Sequence, residues 1–399
     1  EMSRGLGDVY KRQIYIYLNN PEKTFPAFQE VNGMKIVCST ETLSQACQNV
    51  QRAVSTKTSI PAIEGILLKA ENGRLYLTGY DLEVGINTSI EAKVEQDGSI
   101  ILNARYLCDI IRRLPDEEVE IEADARQLCY IRSGETNYSL NGISAEEYPE
   151  LPSVTGGAPV IIDQGILKNM IRQTIFAVAD NNSNVVYTGI KFEIEKNQIK
   201  LIAVDGVRLA IRTEEIDYDG EELSFIVPGK TLSEVMKLID EEEADVSLGV
   251  GKRHIVFEVN GYSIVSRLLE GEFLDYKSAV PASFATTVRV STKTLMSSID
   301  RTSLLITDRL KSPVRCIFDD NTIKISSITS LGTANDKISA QIDGERIEIG
   351  FNNRFLIEAL RVCDTDEVLI KLNSPVSPII ILPPEGESFL FLVLPVRLK

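Results

Sequence analysis

Apolar and polar positions along this chain follow one plan that recurs three times. Residues 101–114 read ILNARYLCDIIRRL: an apolar, strand-like run passes into a helix. Leu107, Ile110, Ile111 and Leu114 fall on one helical face, while Arg105, Asp109 and Arg112 form a charged stripe on the other. Lys230, Glu234 and Lys237 repeat that stripe over Leu232, Val235, Met236 and Ile239. Arg354, Glu358 and Arg361 repeat it again over Leu356, Ala359 and Leu360. Lys230 stands 125 residues after Arg105, and Arg354 stands 124 after Lys230. One amphipathic helix is common, but three copies at near-constant spacing imply an internal threefold repeat.

Other elements keep the same period. A second helix per repeat is predicted over 42–55, 166–179 and 293–307, beside the stripe helices 105–114, 230–239 and 354–362. Leu43 and Leu167 hold matching places, 124 residues apart. Paired apolar runs follow the first helix of each repeat: ILLKA with RLYLTG, KFEIEKNQIKLIAV and CIFDDNTIKISSI. Asn72-Gly73 and Asn260-Gly261 are strong hairpin turns. The Pro/Gly-rich AEEYPELPSVTGGAP closes the first repeat and GEFLDYKSAVP the second. Helix, strands, helix, strands predicts an α+β fold with antiparallel sheets and two helices per domain. The expected domains are 34–156, 157–283 and 284–399. Residues 1–33 fit no repeat, and Met34 opens a clean strand, MKIVCS. That leader is expected to be non-native and outside the fold; it lacks the basic and apolar regions of a signal peptide.

Composition changes this picture only through charge. The 399 residues are 43 % hydrophobic, enough for each repeat to bury a core. No apolar run reaches the roughly 18 residues needed to span a bilayer. The six cysteines (38, 47, 108, 129, 316 and 363) show no metal spacing and read as reduced core thiols of a cytoplasmic protein. Net charge is −16, which taken alone argues against nucleic acid. Yet the six predicted helices sum to +8, so the rest carries −24. Helices sharing one side would make an electropositive surface on an acidic body, able to hold phosphates without reading sequence. The candidate cations are Arg52, Arg105, Arg112, Lys168, Arg172, Lys230, Lys237, Lys293, Arg301, Arg354 and Arg361.

Catalytic patterns are weak. His254, the single histidine, lies in an alternating strand, so most triads and zinc sites need partners the chain lacks. Gly229-Lys230-Thr231 ends like a phosphate loop, but Ser224 occupies the position that requires glycine. Asp205-Gly206, with Asp81 in the matching place, reads as a turn.

From Met34 to Lys399 the chain resembles the beta sliding clamps, the processivity subunits of bacterial replicative DNA polymerase. The matching stretches are IPAIEGILL, TGYDLE, NARYLCDIIRRLP, SAEEYPELP, AVDGVRLA, GEFLDYKSAVP and the terminal LPVRL, spread over all three repeats. The resemblance implies a head-to-tail homodimeric ring around duplex DNA, no cofactor or metal, and no catalysis by this chain. Implied partners are double-stranded DNA, a second copy, the replicative polymerase catalytic subunit, the clamp loader and other proteins with clamp-binding motifs; no membrane is expected. It places Lys57 in a DNA-facing loop, and Tyr138, Leu140, Leu304 and Leu305 at the dimer interface. It also implies a partner-peptide pocket of Tyr187, Val204, Gly206, Val207, Arg208, Leu209, Leu274, Ala279, Leu392, Leu394, Pro395, Val396 and Arg397. Leu274 replaces the family's usual proline and Val207 a common polar residue, which makes the pocket more apolar. Two other readings are a repeat scaffold that binds only proteins and an enzyme using Asp205.

Overall fold

Each long helix is launched from the end of a strand, five of the six by a polar cap. The computed structural model describes residues 33–56, 58–154, 157–181, 183–240, 244–307 and 312–398. The leader, apart from Gly33, and Lys57 therefore lie outside the described residues. Ser39, Asn103, Asp163, Ser291 and Asn352 accept from backbone N–H groups at the starts of α1 (Thr40–Val50), α2 (Ala104–Ile111), α3 (Gln164–Thr174), Thr292–Thr302 and Asn353–Arg361. The sixth long helix, α4 (Gly229–Leu238), starts behind Pro228. A single short turn, α5 (Tyr276–Ala279), precedes α6 (Thr292–Thr302) and α7 (Asn353–Arg361).

These helices are shorter than periodicity suggests, and local chemistry explains why. Thr174 Oγ1 donates to the Met170 carbonyl at 2.8 Å, and Thr302 Oγ1 to the Ser298 carbonyl at 2.8 Å. Such back-bonding weakens the last turn. The expected 166–179 and 293–307 helices therefore stop at Thr174 and Thr302, and the first passes into a 3₁₀ turn over Ile175–Ala177. Leu304 and Leu305 consequently lie beyond α6.

The chain divides into two compact units, one containing Thr88–Pro149 and the chain up to Gly79, the other Tyr80–Asn87 and Glu150–Lys399. The first holds a five-stranded sheet in the order Lys93–Gln96, Met34–Ser39, Glu118–Ala123, Leu128–Ser133, Thr136–Asn141. Gly65–Glu71 pairs antiparallel with Arg74–Tyr80 and with Gly98–Asn103. Asn72 and Gly73 both adopt positive φ in the hairpin, as do Asn260 and Gly261. Leu43, Cys47 and Val50 of α1 and Leu107 and Ile111 of α2 are fully buried.

In the second unit a nine-stranded sheet runs Leu223–Pro228, Gly189–Glu195, Gln198–Val204, Arg208–Glu215, Phe389–Val393, Ile379–Leu382, Glu367–Leu372, Thr286–Ser291, Gln341–Gly344. Arg208–Glu215 pairs antiparallel with Phe389–Val393, so main-chain hydrogen bonds join the second and third repeats. A four-stranded sheet ends on Gly332–Ser339. Among the described residues no helix is long and apolar enough to cross a membrane.

Candidate functional site

The candidate cations sit on helices that pack in pairs, except Arg52, which lies in the 3₁₀ turn Gln51–Ala53 after α1, and Arg112, the residue that caps the end of α2. In the first unit α1 packs on α2, and Arg52, Arg105 and Arg112 are exposed. In the second unit α4, α3, α7 and α6 form a row. α3 packs on α4, α7 packs on α6, and Gln173 of α3 donates to the Val362 carbonyl just past α7 at 3.1 Å. Arg172, Lys230, Lys237, Lys293, Arg301, Arg354 and Arg361 are exposed. Lys168 is half-buried and donates to the Ile239 carbonyl at 3.2 Å.

The acidic member of each stripe holds a neighbouring cation in place. Asp109 accepts from Arg112 at 2.7 Å, Glu234 from Lys237 at 2.8 Å and Glu358 from Arg354 at 2.8 Å. Lys230 reaches Asp81 at 2.7 Å and Arg301 reaches Asp336 at 2.6 Å. Among the described residues Arg52, Arg105, Arg172, Lys293 and Arg361 have no carboxylate within ion-pair distance; Arg172 donates to Asn169 Oδ1 at 2.6 Å, and all five are exposed to an external anion.

A second site forms where the second and third repeats share the nine-stranded sheet. Asp205 Oδ1 accepts from the N–H groups of Val207 and Arg208, each at 3.0 Å, and Gly206 takes φ +94° between them. Asp81 makes the same turn, accepting from Glu83 and Val84 at 3.0 and 2.7 Å. The turn directs the Val207 carbonyl to the Leu394 N–H at 2.9 Å, and the Val396 N–H then binds the Gly350 carbonyl at 2.8 Å. This layout exposes Val207, Leu274, Leu394 and Val396, each 38–39 % accessible. Pro395 is half-buried, and Ala279 and Arg397 are exposed. Beneath them Val204, Leu209 and Leu392 are buried in one cluster; Tyr187 and Phe273 pack against it, and their two rings meet edge to face with centres 5.9 Å apart. Leu392 is thus a core strand residue supporting the site, whereas Leu394 is open to a ligand.

Arg208 serves as a brace. Its guanidinium lies 4.7 Å from the Phe355 ring centre and 5.7 Å from that of Phe176. Nε donates to Asp205 Oδ2 at 2.7 Å, and Nη1 binds Glu358. Burial alone would raise the Glu358 carboxyl, but hydrogen bonds from Arg354 and Arg208 outweigh it and hold it below the usual range. Both Asp205 oxygens are therefore committed to the turn and to Arg208, which removes the basis for Asp205 catalysis. Thr231 is buried on Ser266 Oγ at 2.7 Å, so Gly229-Lys230-Thr231 is a helix start, not a phosphate loop.

Two strand edges carry the remaining candidates. Thr136–Asn141 ends its sheet with Tyr138 exposed and Leu140 half-buried. Gly332–Ser339 ends the four-stranded sheet; Leu304 near it is 77 % exposed, and Leu305 is half-buried.

Three consecutive family models cover this arrangement: the N-terminal, central and C-terminal domains of the DNA polymerase III beta subunit, over residues 34–152, 161–275 and 277–397. The chain belongs to the DNA polymerase III beta subunit family. The beta sliding clamp of Bacillus subtilis is 33 % identical over 91 % of this chain and 100 % of its own length. The crystal structure of the B. subtilis clamp has a TM-score of 0.90 at 32 % identity, over 92 % of this chain and all of that one. A putative beta subunit from Eubacterium rectale has a TM-score of 0.88 at 36 % identity, over 91 % of this chain and 99 % of that one. A Pseudomonas aeruginosa clamp solved with griselimycin has a TM-score of 0.86 at 26 % identity, over 92 % of this chain and all of that one.

Two supports of the second site, Phe273 and Glu358, are absent from the residues that the sequence assigns to it. Phe273 lies inside the GEFLDY stretch, which is the signal that could single it out. Glu358 reads only as part of a surface stripe, because nothing along the chain links it to Arg208, 150 residues away.

Proposed function

We propose that this chain is a DNA sliding clamp. Two copies close head to tail into a ring around duplex DNA and tether the replicative polymerase; the chain itself performs no catalysis. The observation that carries this reading is the recurrence of exposed cations on matched helices of all three repeats, within a chain of net charge −16. Phosphate contacts through mobile cations hold a duplex without fixing its sequence, as sliding requires. Lys57 and the eleven helix cations are assigned to DNA. Domain division at 34–156, 157–283 and 284–399 follows the repeat, and the compartment is the bacterial cytoplasm.

Edge strands Thr136–Asn141 of one copy and Gly332–Ser339 of the other supply unpaired backbone for the subunit junction, with Tyr138, Leu140, Leu304 and Leu305 beside it. The exposed Val207, Leu274, Leu394 and Val396 over the Leu209 and Leu392 floor form the groove for a short, partly apolar peptide from the polymerase, the clamp loader and other partners. Retention on DNA tests the reading. A clamp stays on closed circular DNA and runs off when the circle is cut. Equal retention on both forms, or none on either, would favour a scaffold that binds only proteins.

A further inference from the structure

We propose that a second groove beside the peptide site takes an acidic segment flanking the partner's core motif; this rests on the peptide-groove reading above. The second groove, of about 500 Å³, lies over the same nine-stranded sheet. Ile211, Phe284 and Leu390 give it an apolar lining, and Ile380 and Leu382 lie at its base. Ile380, Leu382 and Tyr276 also belong to the buried cluster of Val204, Leu209 and Leu392, so the two depressions share one floor and one wall.

The rim decides the occupant. Lys200, Lys277 and Lys371 surround the lining on three different elements, and a single carboxylate, Glu387, opposes them. Among the described residues none of the three lysines has an ion-pair partner. Of the acids around Tyr276, Glu193 accepts from its hydroxyl at 2.6 Å and from Lys191 at 2.7 Å, Asp275 accepts from Ser278, and Glu195 is exposed, so the lysines still outnumber the carboxylates not already engaged. Lys371 lies 5.4 Å from the Phe284 ring centre, which keeps its ammonium over the lining. A local surplus of positive charge around an apolar floor, on a chain of net charge −16, complements a peptide that alternates carboxylates with a large apolar side chain. A partner bound through its core motif would present that flank as an intramolecular ligand, so modest contacts suffice.

The test uses fluorescent peptides and the full-length chain. The core peptide is Gln-Leu-Ser-Leu-Phe. Extended forms carry Glu-Glu-Leu-Glu, or the neutral control Gln-Gln-Leu-Gln, through a Gly-Ser linker at either end. At low salt one acidic extension should bind about fivefold more tightly than its neutral control, with the advantage shrinking as salt rises. In the double variant Lys277→Ala with Lys371→Ala that advantage should vanish while core-peptide affinity stays unchanged, which also reports an intact fold. Lys277→Arg with Lys371→Arg should restore it. Equal binding of acidic and neutral extensions at both ends, or an advantage surviving in the alanine variant, overturns the second groove alone. Failure of the core peptide to bind the unsubstituted chain overturns the peptide-groove reading and this one together.

Discussion

Glu358 joins the two candidate sites at the scale of single residues, because its carboxylate serves Arg354 on the cation-bearing helix and Arg208 beneath the peptide groove. Its folded-state pKa is lowered. The stability it contributes is therefore full above the ordinary glutamate value and is lost as pH falls through the folded-state value. Glu358→Gln should cost about 1–3 kcal/mol at pH 7, because the largely buried Arg208 loses a charged partner. In urea unfolding the gap between variant and parent should narrow as pH falls toward 3; a gap independent of pH would show that the carboxylate charge is not what matters. The cysteines make a second residue-scale case. Burial pushes Cys38, Cys129, Cys316 and Cys363 up to about 12, so little thiolate exists at neutral pH. The five buried thiols, Cys38, Cys47, Cys108, Cys129 and Cys316, should react with a thiol-specific chromogenic disulfide only at the unfolding rate, and half-buried Cys363 slowly before that. Fast reaction of several thiols in the native state would contradict the packing around them.

At the scale of elements, helix faces were legible and helix ends were not. Leu107, Ile111, Leu232, Val235, Leu356 and Leu360 are buried where periodicity places them. The ends depend on hydroxyl back-bonds at Thr174 and Thr302, which compete locally and leave no mark on the period. The peptide groove was unreadable from pattern alone because Arg208–Glu215 and Phe389–Val393 meet only in the folded sheet. Only resemblance placed Leu394 and Val207 at one site. Gly350 shows how tightly that site is built: a Cβ there would lie 2.7 Å from the Val396 carbonyl oxygen and 2.6 Å from Leu398 Cδ2. Gly350→Ala should push the terminal segment off its strand, cost about 1–3 kcal/mol, and weaken core-peptide binding while leaving the oligomeric state unchanged. Undiminished peptide affinity would detach the groove from the terminal segment.

At the scale of the whole molecule, charge separation and self-association make distinct demands. Arg105 and Arg172 have no carboxylate partner among the described residues, and Lys168 gives one hydrogen bond to a carbonyl. Changing all three to alanine should lower loading onto circular DNA and flatten its salt dependence, by about 0.9 in log–log slope for each phosphate no longer neutralised. Sequence preference should not change. An unaltered slope would place these cations away from DNA.

Subunit closure is best probed at Leu304. A solvent-exposed leucine in the single chain adds little to the core, so its truncation should leave monomer stability within about 0.5 kcal/mol. Leu305 differs: it is half-buried, and its Cδ1 lies 3.7 Å from where a Cβ on Gly332 would stand, so it supports the edge strand Gly332–Ser339 as well. Ile328 and Leu331, exposed on the hairpin that leads into this strand, enlarge the apolar surface at the same edge. An exposed apolar group beside an open strand edge is a surface that association would cover. Leu304→Ala alone should weaken the dimer while thermal unfolding of the chain stays unchanged, and adding Leu305→Ala should yield a folded monomer. Sedimentation equilibrium at low micromolar protein measures both. A double variant that is well folded and still fully dimeric would move the junction to another edge, and with it the route by which the ring closes around DNA.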